Sequence, residues 1–230
     1  MSIKFVAEIG LNHNGNFELC QELIKQAKFS GADIVKFQLG WKSKIDEINH
    51  IDEIKLAQLY SWSKFYNIEI LFSVFDYQYL DMLSKYKPKA IKIASRTLKE
   101  KFDLVKKIVN LNVETYISLG MVEKNFFPFE NNNVKYLWCK STYPNEISDI
   151  NLIPNSFINS KYYGFSDHFI GIEAALIAIT RGAKLIEKHF TLNKSDQTIR
   201  DHTLSATPSE FKILVDHGKI INNMLYNNVK

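Results

Sequence analysis

Eight short apolar runs divide this chain, and each leads into a longer segment with polar breaks and, in most cases, helical periodicity. The runs cover residues 5–9, 34–38, 68–74, 90–94, 115–119, 134–139, 162–165 and 185–189. Each has the length of a buried parallel strand and is bounded by Gly, Asn, Lys or Pro. After the first run, Cys20, Leu23, Ile24 and Ala27 recur at helical spacing, with Asn16 as the expected cap. After the fourth, Leu98, Phe102, Val105 and Val109 are expected to share one helix face. The last segment opens Thr207-Pro208-Ser209-Glu210, a capping box with proline at the first helical position. Phe211, Leu214, Val215 and Gly218 then form its buried stripe. The crossovers at 122–129 and 148–159 contain Pro and Asn, so only short helices are expected there.

Strands that alternate with helices call for a parallel sheet. A faint repeat supports this. Gly31-Ala32-Asp33-Ile34-Val35-Lys36 and Gly182-Ala183-Lys184-Leu185-Ile186-Glu187 each end a helix on glycine and enter a strand. Eight such units in 230 residues predict a single closed (β/α)8 TIM barrel over 1–230. The rival, an open doubly wound sheet, is disfavoured because no Gly-rich dinucleotide fingerprint follows the first strand.

Composition narrows the function. The 29 Lys+Arg against 25 Asp+Glu leave a net charge of +4 with no basic block, which argues against nucleic acid and suits a small anionic substrate. Cys20 and Cys139 are the two cysteines and lack metal-ligand spacing, so a reducing, cytoplasmic setting is expected. A charged-then-apolar leader and an 18-residue apolar stretch are both missing, so no membrane partner is expected.

A parallel barrel gathers its chemistry where strands end, and these strand ends are polar. The first reads Glu8-Ile9-Gly10-Leu11-Asn12-His13-Asn14-Gly15, which is either a polar loop with a helix cap or part of a site. Glu8 demands a partner, because a carboxylate inside a buried strand is costly alone. Lys36 and Lys92 sit between apolar neighbours on central strands. They either pair internally with Glu8 or Glu187, or together form a cationic floor for phosphate or carboxylate. Ser73, Ser95, Ser118, Ser141 and Ser166 close five successive strands, where hydroxyls can donate to phosphate oxygens. His168 and His189 end the last two strands. Neighbouring strands lie about 5 Å apart, so the two imidazoles can share a divalent ion. Two His with oxygen donors suit Mn(II), Zn(II), Co(II) or Fe(II).

These stretches resemble the sialic acid synthase (N-acetylneuraminate synthase) family. The resemblance rests on Ala7 to Gly15, Gly31 to Gln38, Lys92-Ile93-Ala94-Ser95 and Ser118-Leu119-Gly120-Met121. It continues through Cys139 to Pro144, Gly164 to His168, Glu187 to Thr191 and Asp201 to Ser205, all in family order. It implies condensation of phosphoenolpyruvate with an open-chain N-acetylated amino sugar, N-acetylmannosamine or a relative. By the same resemblance Lys36, Lys92, Ser95, Ser118, Ser141 and Ser166 would hold phosphoenolpyruvate, and Asp201 would approach the sugar. His168 and His189 would bind a divalent metal, Mn(II) first and Mg(II) or Co(II) as alternatives, with Glu8 nearby. Glu8, Glu187 and Lys92 are the expected catalytic groups.

The departures fall on the sugar side. Family members usually have a small antifreeze-like domain after the barrel; the sequence stops at Lys230, so a barrel without that domain is expected. Two assemblies are then open, a homodimer and a complex with a separate sugar-binding subunit. Arg96 stands where the family has a small residue, and Val74-Phe75 follow Ser73 where Pro is common. Two other functions compete: a Schiff-base aldolase using Lys92 or Lys36, and a non-catalytic ligand-binding barrel.

Overall fold

The computed structural model describes residues 2–41 and 49–227. Its strands are β1 (Lys4–Gly10), β2 (Ile34–Leu39), β3 (Glu69–Val74), β4 (Ala90–Ile93), β5 (Glu114–Ser118), β6 (Val134–Trp138), β7 (Tyr162–Asp167) and β8 (Leu185–His189). They pair in chain order, all parallel, and β8 returns to β1 to close the barrel. The expected (β/α)8 architecture is therefore the observed one. β7 runs two residues further than its apolar run, so Ser166 and Asp167 belong to the strand.

The helices are α1 (Leu19–Phe29), α2 (Glu53–Phe65), α3 (Tyr77–Ser84), α4 (Ser95–Glu100), α5 (Phe102–Val109), α6 (Glu173–Thr180) and α7 (Pro208–Asn222). Two local expectations are corrected. Asn16 does not cap α1; Glu18 holds that position, and no side chain bonds there. Successive backbone turns, Asn14 N to Leu11 O, Asn16 N to His13 O and Leu19 N to Asn16 O, wind directly into the helix and occupy the first free amides. The fourth crossover is two helices, because Lys101 leaves the helical conformation (φ −133°, ψ 53°). The break turns Phe102 outward to 37% exposure, where it stacks on Phe129, while Leu98, Val105 and Val109 stay buried. The two weak crossovers are as expected: no helix is assigned over 122–129, and the other holds a 3-10 turn, Ile147–Leu152.

Strand alternation builds two apolar layers. Phe5, Ala7, Ile9, Val35, Phe37, Ile93 and Ile186 face the helices. Val6, Ile34, Leu71, Tyr116, Leu137 and Leu185 fill the barrel interior. One pleat further along the interior, two residues toward the C-terminal end, these become Glu8, Lys36, Ser73, Ser118, Cys139 and Glu187. The same periodicity that seals the bottom of the barrel thus delivers a polar layer at its top.

Gly31 and Gly182 end α1 and α6 in the left-handed region, at φ +88° and +93°. A Cβ would stand 2.9 Å from Val215 Cγ1 at the first and 2.5 Å from Ile158 Cγ1 at the second, so the repeat reflects tight packing as well as turn geometry. Among the described residues no helix is long and apolar enough to cross a membrane.

Thr207 caps α7 reciprocally: its hydroxyl accepts from Glu210 N, and Glu210 Oε2 accepts from Thr207 N at 2.8 Å. Thr207→Ala is expected to cost about 1 kcal/mol, seen as a lower urea midpoint with an unchanged slope.

Candidate active site

Four buried charges form the floor of a cavity of about 430 Å³ at the C-terminal mouth of the barrel. Lys36 Nζ lies 2.9 Å from Glu8 Oε2 and 3.5 Å from Glu187 Oε2; Lys92 Nζ lies 3.8 Å from Glu187 Oε1. None of the four is more than 5% exposed. An ion desolvated this far costs several kcal/mol alone, so each needs its neighbours. Hydroxyls satisfy the remaining valences. Lys36 donates to Ser73 Oγ (3.0 Å), Lys92 to Ser118 Oγ (2.7 Å), and Ser166 donates to Glu187 Oε1 (2.7 Å). The purely cationic floor is therefore corrected: the lysines alternate with carboxylates, and the internal-pair and cavity-floor readings hold together.

This alternation separates the two carboxyls. Burial pushes Glu8 above the usual carboxylate range, more than Lys36 offsets. Burial acts the same way on Glu187, but Lys36, Lys92 and the Ser166 hydroxyl outweigh it and hold Glu187 at about 2. Lys36 is raised: burial opposes its charge, yet Glu187 and Glu8 prevail. Lys92 is lowered, mainly by burial. One carboxyl suited to holding a proton and one fixed as an anion thus face the same space.

The opposite wall comes from β6 to β8 and the loop after β8. Ser166 pairs with Glu187 across β7 and β8, which carries His168 to the level of His189. Their ring centroids are 5.6 Å apart. His168 Nδ1 meets the Lys140 carbonyl at 2.9 Å; a carbonyl only accepts, so Nδ1 donates and Nε2 keeps its lone pair. Burial, reinforced for His168 by His189 and for His189 by Lys36, holds both rings at about 3, hence neutral. Asp201, in the 3-10 turn Arg200–His202, places Oδ2 4.0 Å from His189 Nδ1. Among the described residues no three His, Cys, Asp or Glu side chains converge as a complete metal cage. The two neutral imidazoles nonetheless fit a divalent ion completed by oxygens. His189 Nδ1 and Asp201 Oδ1 are buried with no hydrogen-bond partner among the described residues.

The cavity brings together every residue expected at the site: the four charges, the five serines, the two histidines and Asp201 all line it. Ser95 Oγ accepts from Gly120 N (2.9 Å) and lies 3.3 Å from Cys139 Sγ, which is 3.9 Å from Ser141 Oγ. The polar exit of β1 divides. Glu8 is in the floor, whereas Asn12 and Asn14 are struts. Asn12 donates to Phe190 O and Ser205 Oγ, and Asn14 bonds Asp196 and His202, holding the loop that presents Asp201.

Sequence reasoning missed several lining residues. Gln38 donates to Glu8 Oε1 at 3.2 Å, and its place two residues after Lys36 on one strand was the available signal. Tyr143 packs 4.2 Å from the His168 ring, and Arg200 lies over Tyr143 at 4.6 Å. That meeting joins two distant loops and has no local signature. Behind the wall, Lys188 and Asp167 form a 3.1 Å ion pair with fully buried side chains, and Lys188 also donates to Phe169 O.

A buried cavity of paired carboxyls, lysines and neutral histidines at the C-terminal mouth of a closed barrel defines an enzyme. The NeuB family profile matches residues 43–230. A protein of Methanocaldococcus jannaschii is 34% identical over 96% of this chain and 71% of its own length. The N,N'-diacetyllegionaminic acid synthase of Campylobacter jejuni is 30% identical over 98% of this chain and 78% of its own. The crystal structure of N-acetylneuraminic acid synthetase from Leptospira borgpetersenii superposes with a TM-score of 0.88 at 26% identity, covering 99% of this chain and 86% of that one. The chain belongs to the NeuB family.

Removing Lys188 leaves the buried Asp167 carboxyl with no cation in contact among the described residues. Lys188→Met is expected to destabilise by about 3–5 kcal/mol, and Lys188→Met with Asp167→Leu by less than that single change, both read by denaturant unfolding.

Proposed function

We propose that this chain condenses phosphoenolpyruvate with an N-acetylated amino sugar, N-acetylmannosamine or a relative, giving a nine-carbon sialic-type acid and phosphate. The observation that bears most weight is the floor itself, two lysines and a ring of serines sized for a phosphorylated carboxylic acid, beside two carboxyls of opposed proton affinity. The names of the relatives, synthases of legionaminic, pseudaminic and sialic acids, agree with it.

The residues fit the steps. Lys36, Lys92, Ser95, Ser118, Ser141 and Ser166 hold the donor. Its methylene carbon bonds to the aldehyde carbon of the acceptor, the aldehyde oxygen takes a proton, and the enol carbon is left cationic. Glu8, protonated more readily than a free carboxylate, suits the proton donor. Glu187, held ionised, supplies a fixed negative charge for the cationic carbon. Water adds to that carbon and loses a proton, and phosphate departs as the tetrahedral intermediate collapses to the ketone. The lysine ammoniums balance the charge on the departing phosphate. A divalent ion, Mn(II) first and Mg(II) or Co(II) as alternatives, would be held by His168 and His189 and would polarise the acceptor carbonyl as a Lewis acid. Asp201, beside His189 at the rim, would approach the sugar.

The deciding assay is phosphate release from phosphoenolpyruvate with Mn(II) and a panel of N-acetylated hexosamines, with products weighed by mass spectrometry. A nine-carbon keto acid formed in step with phosphate is expected, abolished by EDTA and by His168→Ala. Full metal-dependent turnover by His168→Ala would remove the histidine site, and no phosphate with any sugar would sink the reading.

One observation favours the Schiff-base alternative: burial lowers Lys92, as an imine-forming lysine requires. Against it, Lys92 Nζ is engaged by Ser118 Oγ, the Ile93 carbonyl and Glu187. Borohydride with pyruvate is expected to leave the protein mass unchanged; a reduced adduct on Lys92 would favour the aldolase.

A further inference from the structure

Among the described residues that line the cavity, basic groups outnumber acidic ones: Lys36, Lys92, Arg96 and Arg200 against Glu8, Glu187 and Asp201. The two floor lysines are matched by Glu8 and Glu187. Arg200 is matched by Asp201, Nε to Oδ1 3.4 Å. Arg96 is left over. Its Nε lies 4.0 Å from Glu100 Oε1 with both side chains about half exposed, a contact that holds little in water.

Arg96 is nevertheless fixed. Its guanidinium lies over the Trp41 ring at 5.0 Å, and Trp41 meets Phe75 edge-on at 5.1 Å. These three residues follow β2, β3 and β4, the strands that raise Lys36, Ser73 and Lys92 from below. The aromatic shelf therefore holds the surplus cation on the β2–β4 side of the mouth. The histidines, Asp201 and Tyr143 occupy the far side.

We propose that Arg96 is a substrate-binding residue for the phosphoryl group of the donor, closing from the mouth a phosphate site whose floor is Lys36, Lys92 and Ser73. The assignment rests on the condensation reading above. A guanidinium offers two parallel donors to phosphate oxygens, and its stacked plane is pre-organised for that contact. Phosphoenolpyruvate brings up to three negative charges to a floor where two lysines face two carboxyl groups, so a further cation at the mouth favours its binding. Placing the phosphoryl group under Arg96 leaves the acceptor carbonyl to the histidine side.

The test uses the full chain, with calorimetric titration of phosphoenolpyruvate and of inorganic phosphate, alongside separate KM values for donor and acceptor. Arg96→Ala is expected to weaken both anions by about tenfold and to raise the donor KM alike, with the acceptor KM unmoved. Arg96→Lys, which keeps the charge and loses the fork, is expected to fall between. Because the side chain is half exposed, all variants should melt with the wild type; if Arg96→Ala does not, Arg96→Gln, which keeps part of the stem on Trp41, replaces it. Unchanged anion binding in Arg96→Ala overturns the assignment, as does a rise confined to the acceptor KM. A wild type that turns over while Arg96→Ala matches it removes Arg96 alone. A wild type that binds no phosphoenolpyruvate removes the condensation reading and Arg96 with it.

Discussion

Everything at the top of this barrel depends on the exchange of charge among Glu8, Lys36, Glu187 and Lys92. Each of these side chains is too buried to remain ionised alone. Together they are tolerable, because every lysine meets a carboxylate and every pair is completed by a hydroxyl. The arrangement also decides the chemistry. Glu187 lies between two ammoniums and stays an anion, whereas Glu8, with one ammonium and full burial, favours its proton. A single network thus stabilises the fold at its least apolar layer and divides acid from anion.

The scaffold makes that network rigid. Apolar side chains fill the interior one pleat below, so the charged layer stands on a packed apolar floor. Behind β7 and β8 the buried Lys188–Asp167 pair sits between the residues that face the cavity, Ser166 and His168 at the end of β7 and Glu187 and His189 on β8. Asn12 and Asn14 then tie the first strand's exit to the loop carrying Asp201. The loops thus take their positions from buried hydrogen bonds to the barrel, a requirement for groups that must be held to fractions of an ångström.

Legibility in the sequence followed locality. Strand periodicity of two put Glu8, Lys36, Ser118 and Glu187 on inward faces without any knowledge of the fold beyond the parallel barrel. It left open whether the lysines would pair with Glu8 or Glu187 or form a cationic floor, because that contact crosses β1, β2, β4 and β8. Gln38 was readable by the same periodicity. Tyr143 and Arg200 were not, since two loops without periodicity, one after β6 and one after β8, supply them. The failed Asn16 cap and the outward Phe102 share one cause: backbone turns and a helix break are settled by tertiary packing that a residue pattern does not encode.

The sequence by itself determined the barrel and the identity of the polar layer. Hydrophobic alternation is a local property, and eight strand–helix units of this length suit a closed barrel. Only the tertiary structure decided how the polar layer behaves: which charges meet, which carboxyl keeps its proton, and that Arg96 lines the mouth above them. The physical reason is that desolvation and Coulomb forces act through space among side chains up to 179 positions apart, from Glu8 to Glu187, and no local pattern records that distance.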